Sequence, residues 1–419
     1  MLKLLLLPIA LFISAFLFFN DKKTEITTTT VEQNKLARKQ ISEALGSSIK
    51  NNHLPTEAEF NFDDENYKLN INYTLDQNLQ KESDNLLKKY KPDYGAIFMI
   101  EAKTGRILAM SSFQKSDSNA SNLNLRATFP AASIFKVITA SAAVDYSGIN
   151  PDHKIAFNGG NYTHHKRNVL SETINRWTRF ISLKDAFAKS INTAFGRLAI
   201  ENIEPKVLTA YAEKFMFNTD LQTDFPVEKS TAQIPNHKGF ELSQVASGYN
   251  RFNTLSPVHG AMIAASIINE GRINYPYIVN ELTDLNKTVV YKAQQFENQQ
   301  IISVESAAKI QSMMEQTVLS GTSRKTFRKM LREKKFREIE MGGKTGHFSG
   351  TNPRGRTDWF IGYSTDGDNK VAIAAITVNI QKWTVKSSAL GEMMFRKHFK
   401  SVLEEKEISK MTIHRKNRG

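Results

Sequence analysis

Three features of the sequence predict a mixed α/β (α+β) fold, with a central antiparallel sheet flanked by helices and a helical subdomain. Two apolar runs, residues 96–100 and 107–110, are joined by Glu101-Ala102-Lys103-Thr104-Gly105 and read as a β-hairpin turning at Thr104-Gly105. Strand-like runs at residues 341–346, 358–363 and 371–378 follow one another with short turns, as antiparallel strands do. Between these two groups lies a long stretch of helical periodicity.

Taken in order, the chain begins with Lys3 and an apolar run over residues 4–19, interrupted only by Pro8 and Ser14. The polar Asn20-Asp21-Lys22-Lys23 follows. The run is short for a comfortable membrane span and long for the apolar part of a signal peptide. Phe16 to Phe19 occupy the places where small residues would mark a cleavage site. An uncleaved signal anchor over residues 1–20 is therefore favoured over a removed signal peptide. Either reading puts the rest of the chain on the extracytoplasmic (periplasmic) side, and the anchor makes it a single-pass protein of the cell membrane.

Residues 21–65 read as an extracytoplasmic linker, with a polar tract at 27–30 and a short amphipathic helix at about 31–45 carrying Leu36, Ile41 and Leu45. The main domain is expected over residues 66–403. In its first part Leu69, Ile71 and Tyr73 alternate with Lys68, Asn70 and Asn72, a half-buried strand, and a helix follows at 75–90. Further helices are expected at about 133–146, 183–199, 205–215, 257–269, 304–319 and 387–404. Residues 324–337 form a basic stretch in which Phe327, Met330 and Leu331 give one apolar stripe, so a surface helix is expected, and a polymer- or lipid-binding role is the sharper reading. The basic tail, 404–419, reads as a disordered end.

At 419 residues, the chain is long enough for one large domain or two medium ones. Its formal charge of +14 suggests an acidic partner. No nucleic-acid-binding signature is present, so phospholipid headgroups or an acidic cell-wall polymer fit better than nucleic acid. The absence of cysteine excludes disulfides, a thiol nucleophile and thiolate metal sites.

Chemistry is concentrated in three short segments. In Ser133-Ile134-Phe135-Lys136 a serine sits at the first turn of an expected helix, where the helix dipole is positive, and a lysine three residues on shares its face. Buried among apolar neighbours, that lysine would lose its proton more easily and could act as a base. Standing alone, the pair is better read as a helix cap and a surface lysine. Ser190-Ile191-Asn192 follows a helical stretch. Residues two apart do not face each other on a regular helix, so joint action of Ser190 and Asn192 requires the helix to break there. In Gly342-Gly343-Lys344-Thr345-Gly346, glycines in a strand permit close approach of a ligand, and Lys344 and Thr345 can hold a carboxylate. The second copy of this tripeptide, Lys103-Thr104-Gly105, is a hairpin turn that needs no chemistry, so order and context decide.

Ser-x-x-Lys, Ser-x-Asn and Lys-Thr-Gly, in this order and separation, resemble the three motifs of penicillin-binding D,D-transpeptidases. The resemblance runs from about Tyr73 to Phe399. It includes the hairpin at 96–110, the Leu-Ser-Pro-type helix start at Leu255-Ser256-Pro257, and Gly321-Thr322 ahead of the last motif. It implies the penicillin-binding transpeptidase or β-lactamase-like fold. It also implies an acyl-enzyme on Ser133, with Lys136 taking the serine proton, Ser190 relaying a proton to the leaving amine and Asn192 orienting Lys136 and the substrate amide. Lys344 and Thr345 would attract the terminal carboxylate, Gly346 and His347 would line the substrate beside them, and the backbone N–H groups of Ser133 and His347 would form the oxyanion hole.

The substrates implied are peptidoglycan stem peptides ending in D-Ala-D-Ala. β-Lactams are implied as inhibitors, and a separate glycosyltransferase as a partner, because residues before 65 leave no room for such a domain. No cofactor and no metal are expected; the spacing of His153, His164 and His165 matches no ligand pattern. His347 departs from the family pattern, which usually has a second threonine there, and Thr345 or Ser349 would compensate in carboxylate recognition. Competing readings are a D,D-carboxypeptidase, a serine β-lactamase, and a β-lactam sensor or division scaffold that does not turn over.

Overall fold

The computed structural model describes residues 31–62, 65–117, 119–294 and 299–416. The expected anchor over residues 1–20 lies outside the described residues. No helix among the described residues is long and apolar enough to cross a membrane.

In chain order, the elements that shape the molecule begin with helices α1 (Val31–Lys50) and α2 (Gln77–Tyr90) and strands β1 (Tyr94–Glu101) and β2 (Ile107–Gln114). Helices α3 (Lys136–Ser141), α4 (Leu183–Ala188), α5 (Asn192–Asn202), α6 (Pro257–Ile268), α7 (Val304–Leu319) and α8 (Arg324–Arg332) follow. Strands β3 (Glu340–Thr351), β4 (Arg354–Thr365) and β5 (Lys370–Asn379) and helix α9 (Ser387–Lys416) complete them.

Five strands form one antiparallel sheet in the order β3-β4-β5-β1-β2, so the hairpin early in the chain and the three late strands meet side by side. Alternation along the strands sends side chains to opposite faces. Ala96, Phe98, Ile100, Ala374 and Ile376 enter a core shared with α3, α5 and α6. Ile97, Met99, Ile373 and Ala375 enter a second core shared with α2, α8 and α9. With both faces covered, the central strands are apolar throughout, as their sequences suggest.

Helix starts follow side-chain caps. Asp76 Oδ1 accepts from the backbone N–H of Asn78 and Leu79 at α2. Ser256 Oγ accepts from His259 N, and Pro257 occupies the first turn of α6.

Two segments differ from expectation. The stretch read as a linker is folded wherever it is described. Ala37, Ile41, Leu45 and Ile49 of α1 are buried in the larger core, and Glu57–Phe62 pairs with Glu65–Tyr73 in a four-stranded sheet completed by Val279–Thr283 and Val289–Lys292. Arg38, almost fully buried, donates to the carbonyl oxygens of Gln222 and Tyr275 and so ties α1 to distant loops. The tail, read as disordered, continues α9 as helix to Lys416. No glycine or proline interrupts residues 404–416, and Lys406 Nζ reaches Asp366 Oδ2 at 2.9 Å.

Candidate active site

Ser133 lies in the 3₁₀ turn Ala132–Phe135, which runs straight into α3 and its first residue, Lys136. The approach to this turn is held on both sides. Ala131 N donates to Asn253 O, and the Trp359 indole Nε1 donates to Pro130 O at 2.9 Å. Lys136 is fully buried, with its Nζ 2.8 Å from Ser133 Oγ, 2.8 Å from Asn192 Oδ1 and 2.5 Å from Ser247 O. Burial first, and then the charge of Lys344, hold its pKa well below that of a free lysine.

A neutral amine has two hydrogens and one lone pair. The amide oxygen of Asn192 and the carbonyl of Ser247 can only accept, so both hydrogens go to them. The lone pair then faces the one partner that carries a proton, the hydroxyl of Ser133.

The helical stretch at 183–199 breaks between α4 and α5, where Ser190 adopts a left-handed backbone with φ 55°. The break is what lets Ser190 and Asn192 serve one site. Asn192 Nδ2 donates to Tyr162 O, which leaves its Oδ1 for Lys136. Ser190 Oγ accepts from Lys344 Nζ at 2.9 Å, and Lys344 also donates to Thr345 O. Burial lowers the pKa of Lys344 to about 7.

Thr345 Oγ1 lies 2.6 Å from Thr322 Oγ1, and Thr322 N donates to Ala188 O at the end of α4. The Gly321-Thr322 segment thus couples the Ser190 break to β3. Gly346 permits a close approach: a Cβ there would sit 3.3 Å from Ser133 N and 3.3 Å from Ala132 Cβ. This brings the β3 backbone beside Ser133.

The predicted residues Ser133, Ser190, Asn192, Thr345 and His347 line one cavity of about 430 Å³, with Lys136 and Lys344 buried behind it. A larger groove of about 520 Å³ beside Lys91, Asp93, Lys115 and Lys382 holds none of the motif residues. Sequence reasoning missed Tyr162, Tyr249, Phe348 and Lys386, which also line the cavity. It missed Ser247 O as well, because a backbone carbonyl has no signature in sequence.

His347 Nε2 lies 2.5 Å from Oδ1 of buried Asp358, its partner across the β3–β4 ladder. The histidine group divides: His164 is buried against Phe240 and Tyr249 with Nε2 2.9 Å from Ser243 Oγ, whereas His153 and His165 are exposed. Among the described residues no group of three or more His, Asp or Glu could hold a metal ion.

Fold and site together define the class: a serine hydroxyl in a 3₁₀ turn, 2.8 Å from the amine of a buried lysine one turn along. The family model described as the penicillin binding protein transpeptidase domain matches residues 95–399. Among curated relatives, stage V sporulation protein D of Bacillus subtilis is 26% identical over 294 residues, covering 67% of this chain and 43% of that protein. The peptidoglycan D,D-transpeptidase PbpA of Mycolicibacterium smegmatis is 26% identical over 327 residues, covering 68% of this chain and 62% of that protein. The chain thus spans only about half the length of these relatives. In fold it is similar to penicillin-binding protein A of M. tuberculosis, solved as an imipenem acyl-enzyme, with a TM-score of 0.65 and 22% identity over 79% of each chain. It is also similar to the D,D-transpeptidase domain of a peptidoglycan glycosyltransferase from Eggerthella lenta, with a TM-score of 0.64 and 20% identity over 80% of this chain and 83% of that one. The chain belongs to the penicillin-binding protein transpeptidase domain family.

Proposed function

We propose that this protein is a peptidoglycan D,D-transpeptidase that works through an acyl-Ser133 intermediate and is inhibited by β-lactams. One observation carries the reading: of the three partners of Lys136 Nζ, only Ser133 Oγ has a proton to give. Ser133 Oγ attacks the carbonyl of the penultimate D-Ala while Lys136 accepts its proton. Backbone N–H groups of Ser133 and His347 receive the oxyanion. The intermediate collapses by breaking the bond to the terminal D-Ala, whose amine takes a proton through Ser190, and an ester on Ser133 remains. The amine of a second stem peptide attacks that ester. A new amide forms and Ser133 regains its proton. Thr345, with Lys344 behind it, attracts the terminal carboxylate.

In the same reading, residues 1–20 anchor the chain in the cell membrane with the 66–403 domain on the extracytoplasmic side, and a separate glycosyltransferase supplies the glycan strands. Nucleic acid and cofactors have no role.

The test uses the full chain with a D-Ala-D-Ala pentapeptide and an amine acceptor. Cross-linked product and free D-Ala are expected from wild type and neither from Ser133→Ala. Hydrolysis without cross-linking makes the protein a carboxypeptidase. Rapid turnover of a chromogenic cephalosporin makes it a β-lactamase. Normal cross-linking in a Ser133→Ala strain makes it a scaffold.

A further inference from the structure

A second cavity lies further along β3, beyond His347 and Phe348. Along one face of the β3–β4 ribbon the cross-strand pairs run His347 with Asp358, Ser349 with Arg356, and Thr351 with Arg354. Pairs two residues apart share a face, so Ser349, Arg356, Thr351 and Arg354 continue the wall that Thr345 and His347 begin. Arg251 closes the opposite side, two residues beyond Tyr249, whose ring packs edge-on against Phe348 at 5.7 Å. Together they line a second cavity of about 350 Å³. All three arginines are exposed, and among the described residues none of them has a carboxylate in ion-pair contact. Asp358, on this face, is already held by His347 and by Ser387 N, and Asp93 accepts from the backbone N–H of Ile380, which lines the cavity.

The direction of the substrate follows from the site. Its terminal carboxylate belongs at Thr345 and its scissile carbonyl near the backbone of Ser133 and His347. The upstream part of the peptide therefore runs on along β3 toward Ser349. Strands advance about 3.4 Å per residue, so the third residue of the stem, two before the terminal D-Ala, falls beside residues 348–349. Its side chain then lies within reach of Arg251, Arg354 and Arg356.

We infer that this arginine-lined cavity is a subsite for a carboxylate on the side chain of the third residue of the donor stem peptide. It selects stems with an acidic diamino-diacid at that position over stems with lysine. The inference rests on the transpeptidase reading and specifies its substrate. Guanidinium groups pair with carboxylates in two-pronged geometry and repel an ammonium, so both attraction and exclusion act in the same sense.

The experiment compares three pentapeptides ending in D-Ala-D-Ala. They differ only in the third residue: diaminopimelate with a free carboxylate, the same residue as its amide, or lysine. D-Ala release by the full chain is followed at low salt. The free acid is expected to be consumed about fivefold faster than the other two, the scale of a partly exposed charge pair. The advantage shrinks as salt is raised. Arg354→Glu with Arg356→Glu should reverse the order, and Arg251→Glu, on the opposite wall, should weaken it without relying on the same strand. Lys39→Glu, on α1 in a groove that shares no lining residue with this cavity, should keep the wild-type ratio. Melting curves establish that each variant is folded.

If Ser133 takes a penicillin label yet all three peptides are consumed alike, or the preference survives charge reversal, the subsite is refuted and the transpeptidase reading stands. If no peptide is consumed and no label forms, the reading beneath it falls and the subsite with it.

Discussion

His347 Nε2 and Asp358 Oδ1 lie 2.5 Å apart across neighbouring strands, with Asp358 buried and His347 half-exposed in the cleft. Asp358 also accepts from Ser387 N at 2.6 Å through its other oxygen, and Trp383 lies 5.8 Å from the imidazole. The departure from the family's usual threonine is thus anchored to the start of α9. His347→Ala keeps the backbone N–H and removes only the side chain. Its penicillin acylation rate should fall by about tenfold or less, the scale of one hydrogen bond. Asp358→Ala strips an acceptor from a buried N–H and should lower stability by about 1–3 kcal/mol in denaturant titration.

Lys136 should be intolerant of every replacement. Lys136→Met removes the proposed proton acceptor, and Lys136→Arg installs a group that stays charged. Either should slow acylation by about 10²–10⁴-fold, the usual worth of a positioned base. Stopped-flow measurement with a fluorescent penicillin checks this; retained rates in Lys136→Met would remove the lysine from the mechanism.

Gly346→Ala tests the close approach of β3. Its Cβ would meet Ser133 N and Ala132 Cβ at 3.3 Å, tighter than ordinary contact. Acylation should drop more than in His347→Ala, although the added group is one methyl. Equal rates in the two variants would argue against this approach.

Burial lowers Lys344 to about 7 from 10.5. The unfolded chain therefore holds more protons than the folded one between those values, so this group makes stability rise with pH across that window, and its destabilising effect is full below pH 7. Its functional effect has the opposite sense. The cation proposed to attract the substrate carboxylate is lost as pH rises through about 7. In pH profiles, kcat/KM for a D-Ala-D-Ala peptide should decline above that value. Lys344→Arg, which keeps its charge, should lower the maximum but flatten that decline. A limb unchanged in Lys344→Arg would assign it to another group.

α1 tests whether the segment before residue 57 belongs to the fold. Leu45 is fully buried in the main core, so Leu45→Ala should cost about 2–5 kcal/mol. A loss near zero would return the segment to the role of a linker.

Much of this was readable because it is local. The apolar runs of β1 and β5, the turn at Thr104-Gly105 and the Ser256 cap declare themselves within a few residues. The break at Ser190 could be argued from a two-residue spacing that no regular helix can use. Long-range partnerships were not readable. Nothing in residues 31–50 announces that Arg38 donates to Gln222 and Tyr275, far along the chain, or that Ile41 and Leu45 find a core rather than solvent. The carbonyl of Ser247 and the carboxylate of Asp358 complete the site through folding alone. The tail was misread because charge was taken for disorder, whereas residues 404–416 contain good helix formers and ion-pair partners.

The central claim is that Ser133 is a nucleophile made reactive by Lys136. Intact-mass spectrometry of the full chain after exposure to penicillin, followed by peptide mapping, tests it most directly. One adduct is expected, carrying the whole mass of the drug since ring opening leaves the departing amine attached, located on Ser133 and absent from Ser133→Ala. An unmodified wild-type protein, or an adduct that persists in Ser133→Ala, would contradict it.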